Sequence, residues 1–177
     1  MLRSVFICGL AALPLFGCGE PGVTEYVAPA LNASTIRAVT FVGATVDARA
    51  LREELDTPDL NSITVRTVVE TAAQRELVWD IGGNVPSRVE LVITELSFDG
   101  NEAGLIGQRV ALMRGTVSLV DASTGAVIVA PTEIFSTGVG WVADGDQPDI
   151  TQADRGTEMT ELAEQFVARA RRVLLGA

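Results

Sequence analysis

RVELVITELSF, residues 88–98, is the most strand-like run in the chain, and its pairing partner can be read directly from the sequence. Val89, Leu91 and Ile93 alternate with Arg88, Glu90 and Val92. Branched and aliphatic side chains at period two suit a pleated, half-buried surface. QRVALMRGTVSLV, residues 108–120, is a second such run. One antiparallel register sets Val89 opposite Leu119, Leu91 opposite Val117, Leu96 opposite Leu112 and Phe98 opposite Val110. In both runs the apolar positions change parity near the middle, at Thr94–Glu95 and at Arg114–Gly115. A one-residue slip would turn every side chain to the other face, so a register that satisfies both halves is strongly specified. The expectation is a long hairpin whose far end buries its opposite face, through a bulge or strong twist near Gly115.

Working outward, SLVDASTGAVIVA, residues 118–130, predicts a second hairpin. Asp121 and Gly125 bound a loop of the length usually built on a type I turn, with the glycine taking positive φ. That hairpin would set Val117 opposite Val129 and Leu119 opposite Val127. Pro131 has no amide to donate, so the third strand ends there, is bulged there or lies at a sheet edge, and Ile134–Trp141 can continue it. In MTELAEQFVARARRVLL, Met159, Leu162, Ala163, Phe166, Val167, Ala170, Val173 and Leu174 form one stripe at helical spacing. That stripe predicts a terminal helix packed on the sheet, begun by a cap within Thr151–Asp154. Upstream, TIRAVTFVGA, residues 35–44, reads as the first strand, and DARALREEL, residues 47–55, as a short helix. Between residues 61 and 77 the β-branched content favours a strand, but Val65, Val68, Val69, Ala72 and Glu76 fall at helical spacing, and a helix is expected. Residues 80–86 are a turn-rich link. The fold class is α+β: a small, mainly antiparallel sheet of about four strands with helices on one face.

The first twenty residues, MLRSVFICGLAALPLFGCGE, carry an address. Arg3 is followed by an apolar run of signal-peptide length, too short to span a bilayer as a helix, which needs about 20 apolar residues. Leu15-Phe16-Gly17-Cys18 resembles a lipobox, the processing site of bacterial lipoproteins, with Phe16 bulkier than usual for its position. The resemblance implies cleavage of residues 1–17 and lipidation of Cys18. Two or more acyl chains then hold the protein to a membrane at about 0.8 kcal/mol per buried CH₂. The segment 18–33, rich in Pro and Gly, reads as a tether to a single domain over 34–177. No Asp follows Cys18 directly. In enteric lipoproteins that Asp retains the protein at the inner membrane, so the resemblance implies the outer membrane, facing the periplasm.

All thirteen cationic residues are arginine, and there is no histidine. Cleavage removes Arg3 and no acid, leaving twelve arginines against 23 Asp and Glu. That balance speaks against nucleic acid as a partner and against docking on anionic lipid by charge alone. Without His, Lys or a free thiol the mature chain has no His-based triad, Schiff-base lysine or thiolate chemistry, and no cofactor motif occurs. An enzyme here would have to be a carboxylate-based hydrolase. Asp144, Asp146, Asp149 and Asp154 are the densest acid cluster, but they lack EF-hand spacing and its closing Glu, and read as a solvated loop rather than a metal site. GNEAGLIGQR, residues 100–109, is not a dinucleotide motif. It reads as a hairpin tip offering Leu105 and Ile106 as contact residues. Trp79 and Trp141 read as rim or core residues.

Lipobox, tether, strand pair, Asp-x-x-Thr-Gly hairpin and closing helix together resemble small envelope lipoproteins. Their fold is like that of the TolB N-terminal domain and the lipopolysaccharide-assembly lipoprotein. The run Val89–Gly125 is similar to uncharacterised lipoproteins of alphaproteobacteria. The resemblance implies no catalytic residue. It implies a non-enzymatic interaction or accessory subunit of an envelope assembly or transport system, with a protein partner. A binding module for a lipid or small apolar ligand, held between sheet and helices, is the alternative.

Overall fold

A computed structural model describes residues 30–51, 61–78, 82–100, 108–141 and 152–176. The elements run α1 (Ala33–Ala38), β1 (Val39–Asp47), α2 (Ser62–Leu77), β2 (Val85–Gly100), β3 (Gln108–Asp121), β4 (Val127–Trp141) and α3 (Gln152–Leu175). The four strands form one sheet in the order β1-β2-β3-β4. β1 pairs parallel to β2, across the crossover that contains α2, and the other two pairings are antiparallel. α2 and α3 pack on each other and on one face of the sheet, so the mainly antiparallel α+β expectation holds.

The interlayer is apolar and buried. All eight stripe positions of α3 are buried, with Phe166, Leu162, Ala163, Val167, Ala170 and Leu174 at 0% exposure. α2 contributes Val65, Val69, Ala72, Ala73 and Leu77 from its inner face. Its start is fixed by Asn61, whose Oδ1 accepts from the amides of Ile63 and Thr64 at 3.0 Å each. The sheet meets these helices with Val89, Leu91 and Ile93 from β2 and Ala111, Met113, Val117 and Leu119 from β3.

The β2–β3 register agrees with expectation at Val89↔Leu119 and Leu91↔Val117, then departs from it. Thr94 has no partner, so Leu96 pairs with Met113 rather than Leu112, and a second shift between Ser97 and Gly100 sets Val110 opposite Gly100 rather than Phe98. Both irregularities add residues to β2 and none to β3. β2 accordingly changes parity, from Val89, Leu91 and Ile93 to Leu96 and Phe98, while β3 keeps its odd positions buried from Ala111 to Leu119. The hairpin therefore buries the same face throughout. Gly115 sits opposite the first irregularity for a steric reason: a Cβ there would lie 2.0 Å from the Val92 carbonyl oxygen and 3.1 Å from the Phe166 ring.

Three other expectations are corrected. Thr35–Ala38 is helical, not strand, because Asn32 caps the turn by accepting from the amides of Ser34 and Thr35; the strand starts at Val39. β1 then buries Val39 and Phe41, bulges at Val42, and buries Ala44 and Val46. In the second hairpin Leu119 pairs with Val129 and Val117 with Thr132, because β4 carries extra residues at Ile128 and at Ala130–Pro131. β4 is an edge strand and continues past Pro131 to Trp141, so the proline is both at a bulge and at an edge. Gly125 has the positive φ expected of it, 73°, and Asp121 Oδ1 accepts from the amides of Ser123 and Thr124. Asp47 closes a strand, and Arg49 and Ala50 form a turn, so no helix begins at residue 47. The remainder of that segment, from residue 52, lies outside the described residues.

The chain ends of the fold meet. The amides of Ala30 and Leu31 donate to the carbonyls of Val173 and Leu174, at 2.8 and 3.2 Å, and Leu31 is buried against the core. Residues 30–33, assigned to the tether from sequence, thus belong to the folded unit.

Candidate interaction surface

The two edges of the sheet are treated differently. An open edge offers unpaired backbone donors and acceptors, and proteins usually blunt it. At β1 the edge is short, bulged at Val42, and partly covered by α2: Gln74 Nε2 donates to the Ala44 carbonyl at 3.3 Å. At β4 the blunting devices, the two bulges and Pro131, are confined to the first third. Thr132–Trp141 pairs with β3 as ten consecutive residues without interruption. Among the described residues no strand pairs with its other side.

Beside that open stretch runs a groove of ≈ 480 Å³ between β4 and α3. Its floor is Phe135, Ser136 and Thr137; its wall is Gln165, Ala168, Arg169 and Arg172. The wall residues fall at i, i+3, i+4 and i+7, a second stripe on α3 next to the buried one. Ser136 is buried and donates its hydroxyl to the Leu162 carbonyl at 2.8 Å, which pins strand to helix. Phe135 is 50% exposed. The Arg169 guanidinium carbon lies 5.8 Å from its ring centroid, a cation–π geometry that holds the guanidinium against the ring. Arg172 forms no ion pair among the described residues. Arg169, which is already partnered, and Arg172 set two guanidinium groups along the wall of a chain whose net charge is −10.

The remaining surfaces are less inviting. A smaller groove of ≈ 210 Å³ between α2 and α3 includes Arg75 and Glu164 in its lining, and these two are ion-paired at 2.9 Å. The sheet face away from the helices carries Arg88–Glu90 and the cross-strand pair Glu95–Arg114 at 2.9 and 3.0 Å, the mark of a solvated face. Among the described residues two carboxylates are clearly displaced from the ordinary aspartate range, both downward. Asp47 is lowered to about 2, chiefly by the side-chain hydrogen bonds from Arg49 and then by its backbone amide. Asp121 is lowered by the amides of Ser123 and Thr124. Both are turn-forming acids, and displacement downward is the opposite of what a general acid requires. Among the described residues no cluster of three or more metal-ligating side chains occurs.

Cys18, Leu105, Ile106, Trp79, Asp144, Asp146 and Asp149 lie outside the described residues, and Trp141 is described only as the last residue of β4. The groove residues were missed from sequence. The stripe Gln165–Ala168–Arg169–Arg172 was visible as helical spacing, but nothing local says that it flanks an edge strand.

No family model matches the chain, and no curated protein matches it. Solved structures with a similar fold include a candidate lipoprotein of Caulobacter crescentus CB15, at 16% identity and TM-score 0.44 over 81% of this chain and 89% of that one. Others are a minor lipoprotein of Acinetobacter baumannii (10% identity, TM-score 0.42, 77% and 92%) and the rare lipoprotein B of Shewanella oneidensis (12%, 0.37, 77% and 92%). At TM-scores below 0.5 these likenesses carry no functional weight.

Proposed function

We propose that the chain is a membrane-anchored envelope lipoprotein that acts by contact rather than catalysis. It is an interaction or accessory subunit of an envelope assembly or transport system, held by acyl chains on Cys18 at the outer membrane and facing the periplasm. The observation that supports this reading best is the uninterrupted β4 edge, Thr132–Trp141, which has no partner strand among the described residues and runs beside a groove with an exposed aromatic and two arginines. Edge strands of this kind bind by strand addition. The anchor reading rests on Leu15–Cys18. No helix among the described residues is long and apolar enough to cross a membrane. The alternative, an apolar ligand between sheet and helices, has less support. The described interlayer is filled by side chains at or near zero exposure, and both described grooves open at the surface.

The test is photo-crosslinking in cells from a reactive group placed at Thr137, in wild type and in Cys18→Ser, with a fatty-acid probe followed in parallel. The expected result is probe incorporation that Cys18→Ser abolishes, and one defined envelope protein captured from Thr137. Labelling that survives Cys18→Ser removes the anchor. Repeated recovery of the chain alone from Thr137 removes the contact role.

A further inference from the structure

Charge is unevenly placed on this acidic chain, and the cationic part lies where the segment from Cys18 enters the fold. We infer that the domain rests on an anionic phospholipid surface with one end down, the end that gathers the three helix C-termini, and that Arg37 and Arg172 meet the lipid phosphates there. The inference rests on the acyl anchor at Cys18 proposed above and adds the lipid class and the orientation.

The ladders define that end. β1 and β2 start side by side at Val39↔Val85, β3 finishes beside them at Ser87↔Asp121, and β4 starts next to it at Val120↔Val127. α1 leads into β1 at this end, and α2 returns to it before β2 begins. α3 finishes there as well, since the Leu31 amide, just ahead of α1, donates to the Leu174 carbonyl. Each helix carries an arginine in its last turn, Arg37, Arg75 and Arg172, where a cation complements the helix dipole. Their circumstances differ. Arg75 is ion-paired with Glu76 and Glu164. Arg37 and Arg172 are exposed, and neither side chain forms a hydrogen bond or ion pair among the described residues. Asp121, an acid at the same end, is held by the amides of Ser123 and Thr124. The opposite end has the reverse balance. The links joined to it, residues 48–61, 101–107 and 142–151, hold eight acids and two arginines, whereas the two links at the near end, 78–84 and 122–126, hold one acid.

Charge alone does not bring such a chain to lipid, but an anchored chain is already there. The surface has only to choose among orientations of a domain held within reach. Twelve residues separate Cys18 from Ala30, a stretch that spans at most about 40 Å. An arginine close to an anionic surface favours contact roughly fivefold, so two favour their own end roughly 25-fold, and the same surface repels the acidic end. Glu20 and Glu25 lie between anchor and fold in every orientation, so they do not choose which end approaches. An acidic protein presents similar charge, but lipid is the anionic partner that the chain itself keeps within reach.

The test uses the full acylated protein in nanodiscs of phosphatidylcholine, alone or mixed equally with phosphatidylglycerol. A dye is placed at Ser123→Cys, in the near-end turn, or at Ile63→Cys, at the start of α2, both exposed positions. Energy transfer to an acceptor lipid then reports which end is down. Phosphatidylglycerol should raise transfer from Ser123→Cys and lower it from Ile63→Cys, with the orientation ratio shifting roughly 25-fold. Added salt should erase the shift. Arg37→Gln/Arg172→Gln, shown to be folded by circular dichroism and melting, should remove it. Arg49→Gln/Arg66→Gln, with the same charge change elsewhere, should leave it intact. Equal transfer from both positions, the same ratio in both lipids, or indifference to Arg37→Gln/Arg172→Gln overturns the inference. The parent chain without an added cysteine separates the two levels. Acylation of Cys18 leaves it no thiol, so it should take up no dye. Dye on the parent removes the anchor and the orientation together, whereas an unlabelled parent with no lipid dependence removes the orientation alone.

Discussion

Gly115 shows how one missing side chain holds a bulge in place. Its Cβ would meet the Val92 carbonyl at 2.0 Å, and that oxygen belongs to a backbone fixed by two ladders. Gly115→Ala should therefore cost about 1–3 kcal/mol or more, read as a lower urea midpoint. Gly138→Ala is the control. Its Cβ would make ordinary contacts at 3.7 and 3.8 Å with Leu162 and Ala111, and stability should stay within about 0.5 kcal/mol. Asp121 gives a pH-dependent case. Its folded carboxyl lies below the ordinary 3.8 because two amides donate to the charged form. The stabilisation it gives is complete above that ordinary value and is lost as pH falls through the lowered folded one. Asp121→Asn keeps the acceptor but not the charge, so its melting temperature should trail wild type at neutral pH and converge on it at the acid end of a pH series.

At the scale of elements, the buried stripe was legible, the helix caps at Asn32 and Asn61 were not, and bulges were legible in place (near Gly115 and Pro131) but not in which residues they leave out. The α3 stripe is buried at every position named from sequence, because a helix of that amphipathicity has one way to face a sheet. Phe166→Ala should cost about 3–5 kcal/mol in denaturant unfolding. The cap at α2 is equally local, and Asn61→Ala should cost about 1 kcal/mol. The same chemistry at Asn32 was overlooked, since the β-branched Thr35 and Ile36 that follow it suit a strand. β3 was misread for a different reason. Val110 and Leu112 are as apolar as Ala111 and Met113, so its own sequence fits either face, and the choice is made by Thr94 on the neighbouring strand. The shifted pairs around Val129 and Pro131 likewise arise from residues left out of a ladder, which no alternation pattern encodes.

For the molecule as a whole, layers give a gradient of protection. β2 and β3 are paired on both sides and covered on one face by the two long helices, whereas among the described residues β4 is paired on one side only. Amide exchange should be slowest in β2 and β3 and markedly faster at the alternate β4 amides between Thr132 and Trp141, read by mass spectrometry or NMR on the full chain. Added-strand binding would slow those same β4 amides. The candidate groove was illegible from sequence for a related reason: Phe135 and Arg169 are brought together by the packing of α3 on β4, and each alone reads as an ordinary surface residue.

The clasp between Ala30–Leu31 and Val173–Leu174 has a mechanical consequence. Tension arriving from the chain N-terminal to Ala30 enters at the last turn of α3, where two backbone hydrogen bonds and the Leu31 side chain resist it. It does not load the sheet's ladders end to end. Under a steady pull the clasp should yield before the strands do, lengthening the leash by a few residues while the β4 edge keeps its shape.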